Sequence, residues 1–282
     1  MIGPWTAMGA RERWRTTRGW WRRRVRWIVR RYKRRRDRFL LLRPAFFAHQ
    51  PLYDRISGTT SLLSIRDGED FKVIEQIFVL LDYDFGKLRR AGEIEAFYDR
   101  LVAGGSHPLI VDAGANIGLA TRFFKLSYPH ARVIAIEPDA GNIALARVNN
   151  PGPDVEFLEA GVGSEDMRGR LVDPGTGHCG YRIEPDPEGP VHVVSFQRIV
   201  ERAERDACVP FIAKIDIEGF EAELFARNLD WMDRFPVIIL ELHDWMLPRS
   251  ANAQNFLRAV AARNRDFVYH GENVFSLSND LM

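Results

Sequence analysis

Residues 109–124 read LIVDAGANIGLATRFF: a short apolar run, an aspartate, a turn containing glycine, and then a helix-like stretch. A strand that passes into a helix through glycine opens many nucleotide-binding α/β sheets, and the polar residues of the turn decide what is held there. A dinucleotide fingerprint places glycines first, third and sixth, so that backbone N–H groups and a helix N-terminus meet a pyrophosphate. Here those positions are Asp112, Gly114 and Ile117, so the first and last glycines are missing. An ionised Asp112 at the strand end would also repel a pyrophosphate. It suits a ligand with an amino group, a cationic sulfonium and no phosphate, and S-adenosyl-L-methionine has that chemistry.

Further apolar runs follow at helix-length intervals: RVIAIEPD (132–139), VEFLEAGVG (155–163), FIAKIDIEG (211–219) and PVIILELHD (236–244). This alternation predicts an α/β fold, with a Rossmann-like, doubly wound and mostly parallel sheet buried on both faces. In such sheets ligands gather at the carboxyl ends of the strands. Gly114 would then allow close approach to the methionine part of the ligand, Asn116 would offer hydrogen bonds, and Gly118 would let the next helix pack near it. Glu137 ends the second strand, where a carboxylate accepts both ribose hydroxyls. Glu159, Ala160 and Gly161 end the third, where the adenine edge would lie. A glycine turn by itself is equally an ordinary strand-to-helix connection.

The blocks VDAGANIG (111–118), IEPD (136–139), KIDIEGFE (214–221) and IILELH (238–243), in that order, resemble the FkbM family of S-adenosylmethionine-dependent methyltransferases. The resemblance runs over roughly residues 70–270, and KIDIEGFE is its most specific part. It implies a methyltransferase fold, usually with a hydroxyl oxygen of a sugar or natural product as methyl acceptor, and no particular substrate. One departure is VVSFQRIV (193–200), where family members commonly carry Leu-Asp and this chain has Phe196 and Gln197.

On the fourth strand a two-residue period sends Lys214, Asp216 and Glu218 to one side. Ionisable groups on a central strand are costly unless they pair or act, so either an internal Lys214–Asp216 ion pair or a direct role in the site follows. Glu221 reads as a first-turn helix residue. Glu241 and His243 share one face of the fifth strand. Methyl transfer to a hydroxyl requires alignment of the acceptor and removal of its proton. By intrinsic pKa His243 is the expected general base, oriented by Asp216 or Glu241; a histidine merely satisfied by a carboxylate is the alternative. A divalent ion on Asp216, Glu218, Glu241 and His243 is a further option that no tight ligand motif supports, so no metal is assigned. Residues 173–190, rich in Gly and Pro, read as a loop over the site, with His178 and Tyr181 near the acceptor.

Charge is strongly segregated along the chain. Residues 11–38 hold 15 basic side chains against 2 acidic ones, a net +13, which leaves residues 39–282 with 25 against 36, a net −11. Trp14, Trp21, Val25, Ile28 and Tyr32 fall on one helical stripe among the arginines, as suits an anionic membrane surface. RNA would accept the same charges, and a solvated basic tail needs no partner at all. Two cysteines, no disulfide framework and no convincing signal or spanning segment predict a cytoplasmic enzyme, at most peripheral at the membrane. The expected layout is a basic tail at 1–38, a lead-in of short helices at 39–108 that includes Tyr83, and a catalytic domain at 109–282. The acceptor would be a small or lipid-linked hydroxylated molecule. Three rivals remain. RNA methylation lacks an Asn-Pro-Pro-aromatic motif after the fourth strand, an NAD(P)-dependent oxidoreductase lacks its glycines, and a non-catalytic binding module would work through the tail.

Overall fold

The computed structural model describes residues 38–42, 48–173, 175 and 180–282. The Trp-bearing tail, His178 and Cys179 therefore lie outside the described residues. Those described form two compact units, one ending at Leu62 and the other running Leu63–Met282.

The first unit holds β1 (Phe39–Leu41), β2 (His49–Asp54) and the start of β3 (Thr59–Ser64), which form a small sheet in that order with β1 and β2 antiparallel. Short helices were the expectation here. The inward residues of β2 are Gln50, Leu52 and Asp54, a two-residue period hidden by two polar members. Asp54 is buried because it serves the turn: it takes Arg38 Nε and Nη2 at 3.1 Å each, and accepts from the Ile56 amide at 3.0 Å and the Ser57 hydroxyl at 3.1 Å.

The helical lead-in starts with α1 (Gly68–Glu75), where Asp67 caps the N-terminus by accepting from the Glu69 and Asp70 amides. A π-helical turn at Gln76–Leu80 ends on Leu81 in the left-handed region. α2 (Ala91–Ala103) leads into the main sheet.

Seven strands make that sheet: β4 (His107–Ala113), β5 (Arg132–Glu137), β6 (Val155–Glu159), β11 (Cys208–Ile215), β12 (Val237–Glu241), β13 (Arg265–His270) and β14 (Asn273–Ser278). Their order is β13-β14-β12-β11-β4-β5-β6. All five apolar runs of the sequence are parallel neighbours within it. β14 runs antiparallel to both β12 and β13. The connecting helices are α3 (Leu119–Ser127), α4 (Ala140–Asn149), α5 (Phe196–Arg205), the single turn α6 (Glu221–Leu224) and α7 (Gln254–Ala261). One core packs around fully buried Trp231, whose ring centroid lies 4.1 Å from that of Phe196. Burying an aromatic side chain of this kind contributes about 1.5–3 kcal/mol. Phe196, the departure from the family pattern, is thus a core residue, and Gln197 bonds Glu201 at 2.7 Å.

A second sheet has order β7 (Gly161–Gly163), β10 (Val191–Ser195), β8 (Met167–Val172), β9 (Arg182–Pro185). The expected loop at 173–190 therefore contains a strand, paired antiparallel to β8. Strand order runs outward in opposite directions from the β4–β11 pair, so the carboxyl ends of these two strands form the switch point at which such sheets bind ligands.

Candidate active site

β4 delivers Asp112 to the sheet interior, fully buried. Its Oδ2 accepts from Thr121 Oγ1 at 2.6 Å and its Oδ1 lies 3.1 Å from Lys214 Nζ. Lys214 also donates to the Gly114 carbonyl at 2.6 Å and sits 3.6 Å from Asp216 Oδ2. Burial alone would push the Lys214 pKa down, but Asp112, Tyr83 and Asp216 outweigh it and hold the ammonium charged. Lys214 pairs with Asp112 more closely than with Asp216, the partner expected from the sequence. Asp112 lines neither cavity described below. This buried pair is a structural support, and loss of either partner would leave the other charge stranded.

The turn after β4 is fixed by glycine at two points. Gly114 has φ +76°, and a Cβ there would lie 1.7 Å from the Asp216 carbonyl oxygen. Its close approach is thus to the backbone after β11. Gly118, also at φ +76°, lets the start of α3 pack closely on Ala146 of α4 and on Asn150 just beyond it. Asn116, left-handed at φ +48°, donates its amide to Glu137 Oε2 at 2.9 Å.

Glu137 is held at the end of β5 by three donors: that amide, the Asp139 amide at 3.1 Å and Asn142 Nδ2 at 3.1 Å. Burial pushes its pKa up against these bonds. A first cavity is lined by Glu137, Asn142, Ala160, Gly161, Tyr181 and Ile183 together with residues of the β4 and β11 turns. Ile183 of β9 closes over Gly161, where a Cβ would meet its Cδ1 at 2.1 Å. Glu159 lies outside this cavity, exposed at the end of β6.

A second cavity adjoins the first. Gly114, Asn116, Asp216 and Glu218 line both. Its own walls include Tyr83, Asp82, Lys214, Glu241 and Glu272, so its charged lining is carboxylate apart from Lys214. Tyr83 thus brings the lead-in to the wall of this cavity. Its ring is buried and its hydroxyl pKa is raised, chiefly by burial.

β11 ends at Ile215, and the turn beyond it brings the remaining residues together. Glu218 adopts φ +55°. His243, 1% exposed, has its Nδ1 2.8 Å from Glu221 Oε1. Its Nε2 faces Asp216 at 3.6 Å, Glu218 at 3.7 Å and Glu241 at 3.7 Å. Burial would push the His243 pKa down, but the hydrogen bond and charge of Glu221, with Asp216 and Glu241, hold it at about 9. His243 itself lines neither cavity and stands behind the carboxylates of Asp216, Glu218 and Glu241. Burial and the charge of Asp216 push Glu218 up to about 7 and Glu241 up to about 8.

Glu221 stands in the first turn of α6, as expected. It is fully buried. Beyond His243 it accepts from Asn252 Nδ2 at 2.6 Å and from the Ile217 and Gly219 amides at 3.3 Å. Its pKa is lowered: these donors and His243 overcome the effect of burial. Its inclusion in the KIDIEGFE block was the one signal; nothing in its spacing told a buried carboxylate from an exposed one. Among the described residues no helix is long and apolar enough to cross a membrane.

Parts of the chain are similar to known proteins. The methyltransferase sdnD of Sordaria araneosa is 41% identical over 66 residues, which cover 21% of this chain and 24% of that protein. The chain therefore spans about a quarter of the length of this curated relative. The crystal structure of monomeric WbdD superposes with a TM-score of 0.39 at 12% identity, covering 74% of this chain and 44% of that one. The O-methyltransferase from Bacillus cereus, crystallised in complex with SAH, gives a TM-score of 0.39 at 12% identity over 76% and 93% of the two chains. The methyltransferase FkbM domain matches residues 112–269, from the aspartate of β4 to the penultimate residue of β13 and more than half of the chain. The protein therefore belongs to the FkbM methyltransferase family.

Proposed function

We propose that the protein transfers a methyl group from S-adenosyl-L-methionine to a hydroxyl oxygen of a saccharide, glycolipid or natural-product acceptor. The observation that carries this reading is the pair of adjoining cavities that share Gly114, Asn116, Asp216 and Glu218. The first suits an adenosyl group. Glu137 Oε2 accepts one protein hydrogen bond and so retains capacity for a ribose hydroxyl. Asn116 Oδ1 is buried without a hydrogen-bond partner among the described residues, an acceptor that a ligand donor would satisfy.

When bound, S-adenosylmethionine would supply a methyl group already activated for displacement by the acceptor oxygen, with S-adenosylhomocysteine as the leaving group. The chain's own residues align the acceptor and take its proton. Glu218 faces both cavities, and with a pKa near 7 it suits proton removal close to neutral pH. Asp216 beside it orients the hydroxyl. His243 is a positioning residue: pinned by Glu221, it sets its ring against the three carboxylates. The acidic second cavity disfavours phosphate or carboxylate acceptors and favours an uncharged polyol.

The test is incubation with S-adenosylmethionine labelled at the methyl group and a panel of hydroxylated acceptors. Recovery of label in a methyl ether is expected. Label found only on nitrogen or carbon would refute O-methylation. The basic segment 11–38 supports a lipid-linked acceptor at an anionic membrane. On that reading the full chain floats with anionic liposomes and a chain lacking residues 1–38 does not; equal flotation would exclude the membrane role.

A further inference from the structure

We propose that Asp216, Glu241 and His243 bind one divalent first-row transition-metal ion, which polarises the acceptor hydroxyl; the site rests on geometry, and its purpose rests on the methyl-transfer reading above. One donor atom from each lies within 4.8 Å of the others. The sequence offered no tight ligand motif for such a site, because Asp216 and Glu241 come from different strands and meet only in the folded sheet.

The stronger observation is the histidine. Its side chain is almost wholly buried, and its Nδ1 is engaged by a carboxylate that is itself held by Asn252 and two amides. A carboxylate behind a histidine is the arrangement that fixes a metal-binding imidazole in one orientation. Nε2 is therefore aimed at the carboxylates, yet the Asp216, Glu218 and Glu241 oxygens stand 3.6–3.7 Å away. That is beyond a normal hydrogen bond. Around an ion with ligands at about 2.1 Å, adjacent donors lie about 3 Å apart and opposed donors about 4.2 Å. The observed separations from Nε2 lie between these two values, so the histidine and each carboxylate need to close by only about 0.6–0.7 Å to become adjacent donors. Asp216 and Glu241 keep 25% and 18% of their side-chain surface exposed, which gives them room to turn.

The electrostatics point the same way. Asp216, Glu218, Glu241, Asp82 and Glu272 line one cavity whose lysine, Lys214, is already paired with Asp112. One imidazole with two carboxylates is a donor set for a first-row ion such as Mn²⁺ more than for Mg²⁺. The positions left open face the cavity that the acceptor would enter. A hydroxyl bound there would lose its proton more readily. Glu218, outside the mutually close trio, remains to receive it.

The experiment is titration of the full chain, first stripped with chelator, with Mn²⁺ followed by electron paramagnetic resonance. S-adenosylhomocysteine is titrated separately by calorimetry. One Mn²⁺ per chain is expected. Asp216→Asn and Glu241→Gln should each abolish or strongly weaken binding. Glu221→Gln, which acts only behind the histidine, should weaken it by about 10–100-fold. Thermal melts show which variants are folded, and the partly exposed Glu241 carries the test if Glu221→Gln is not. No Mn²⁺ binding, or binding untouched by Asp216→Asn and Glu241→Gln, overturns the site. If S-adenosylhomocysteine binds while Mn²⁺ does not, the ion is lost and the methyltransferase reading stands; the reverse result keeps the ion and removes that reading.

Discussion

Glu218→Gln lowers kcat for methyl transfer by about 10²–10⁴-fold, the usual contribution of a positioned base. Glutamine preserves the shape and removes the proton acceptor. Glu218 lines both cavities, so it is placed where the acceptor hydroxyl and the methyl donor meet. Its carboxylate lies 3.7 Å from His243 Nε2, with no closer hydrogen bond to lose, so the melting temperature should change little. Single-turnover kinetics with saturating S-adenosylmethionine, beside calorimetry with S-adenosylhomocysteine, separate the two effects. The expected pattern is lost chemistry with retained cofactor affinity. Loss of affinity with unchanged single-turnover rate would show that Glu218 holds the cofactor and takes no proton.

Gly114→Ala should destabilise the domain by about 4 kcal/mol, the combined cost of a left-handed non-glycine residue and of overpacking. The added Cβ would sit 1.7 Å from the Asp216 carbonyl oxygen, and backbone there cannot turn aside as a flexible side chain would. The displacement would be passed to the turn that carries Asp216 and Glu218. For a chain of this size the melting temperature should fall by roughly 8–16 °C. Cofactor binding should weaken along with it, because Gly114 lines both cavities. An unshifted melt would mean that the β4 and β11 turns do not approach as closely as described.

The fold was legible where hydrophobicity alone decides it. The runs around Val111, Ile134, Ala213 and Ile239 are strands buried on both faces, the Phe157 run is the half-exposed edge strand beside them, and a parallel sheet with helices on each side needs nothing more. It was illegible where polar residues occupy inward positions. Gln50 and Asp54 hid β2, and Asn273, Ser276 and Ser278, all buried, hid β14. The β8–β9 pairing escaped notice because Gly and Pro flank the four residues of β9.

The candidate site was legible as a list of strand-end residues but not as a set of partnerships. Asp112 and Lys214 are 102 positions apart, and no spacing rule joins them; the parallel register of β4 and β11, which sets Lys214 beside Asp112, does. That pairing makes Asp112 and Lys214 a buried support beneath the site. Glu221 and His243 meet in the same way across the β11 and β12 ends, and the intrinsic pKa that suggested a base gave no hint of the carboxylate behind the ring. Glu137, by contrast, needs only its own strand end and the adjacent turn, and it is the sequence expectation whose surroundings changed least.

Glu137 is therefore the residue on which the cofactor assignment is best tested. The measurement is calorimetric titration of the full chain with S-adenosylhomocysteine, run beside NADH and repeated with Glu137→Ala. The expected result is binding of S-adenosylhomocysteine, weakened about tenfold or more by loss of the carboxylate, and no binding of NADH. Binding of NADH without S-adenosylhomocysteine, or S-adenosylhomocysteine affinity unchanged in Glu137→Ala, would contradict the assignment of the first cavity to the methyl donor.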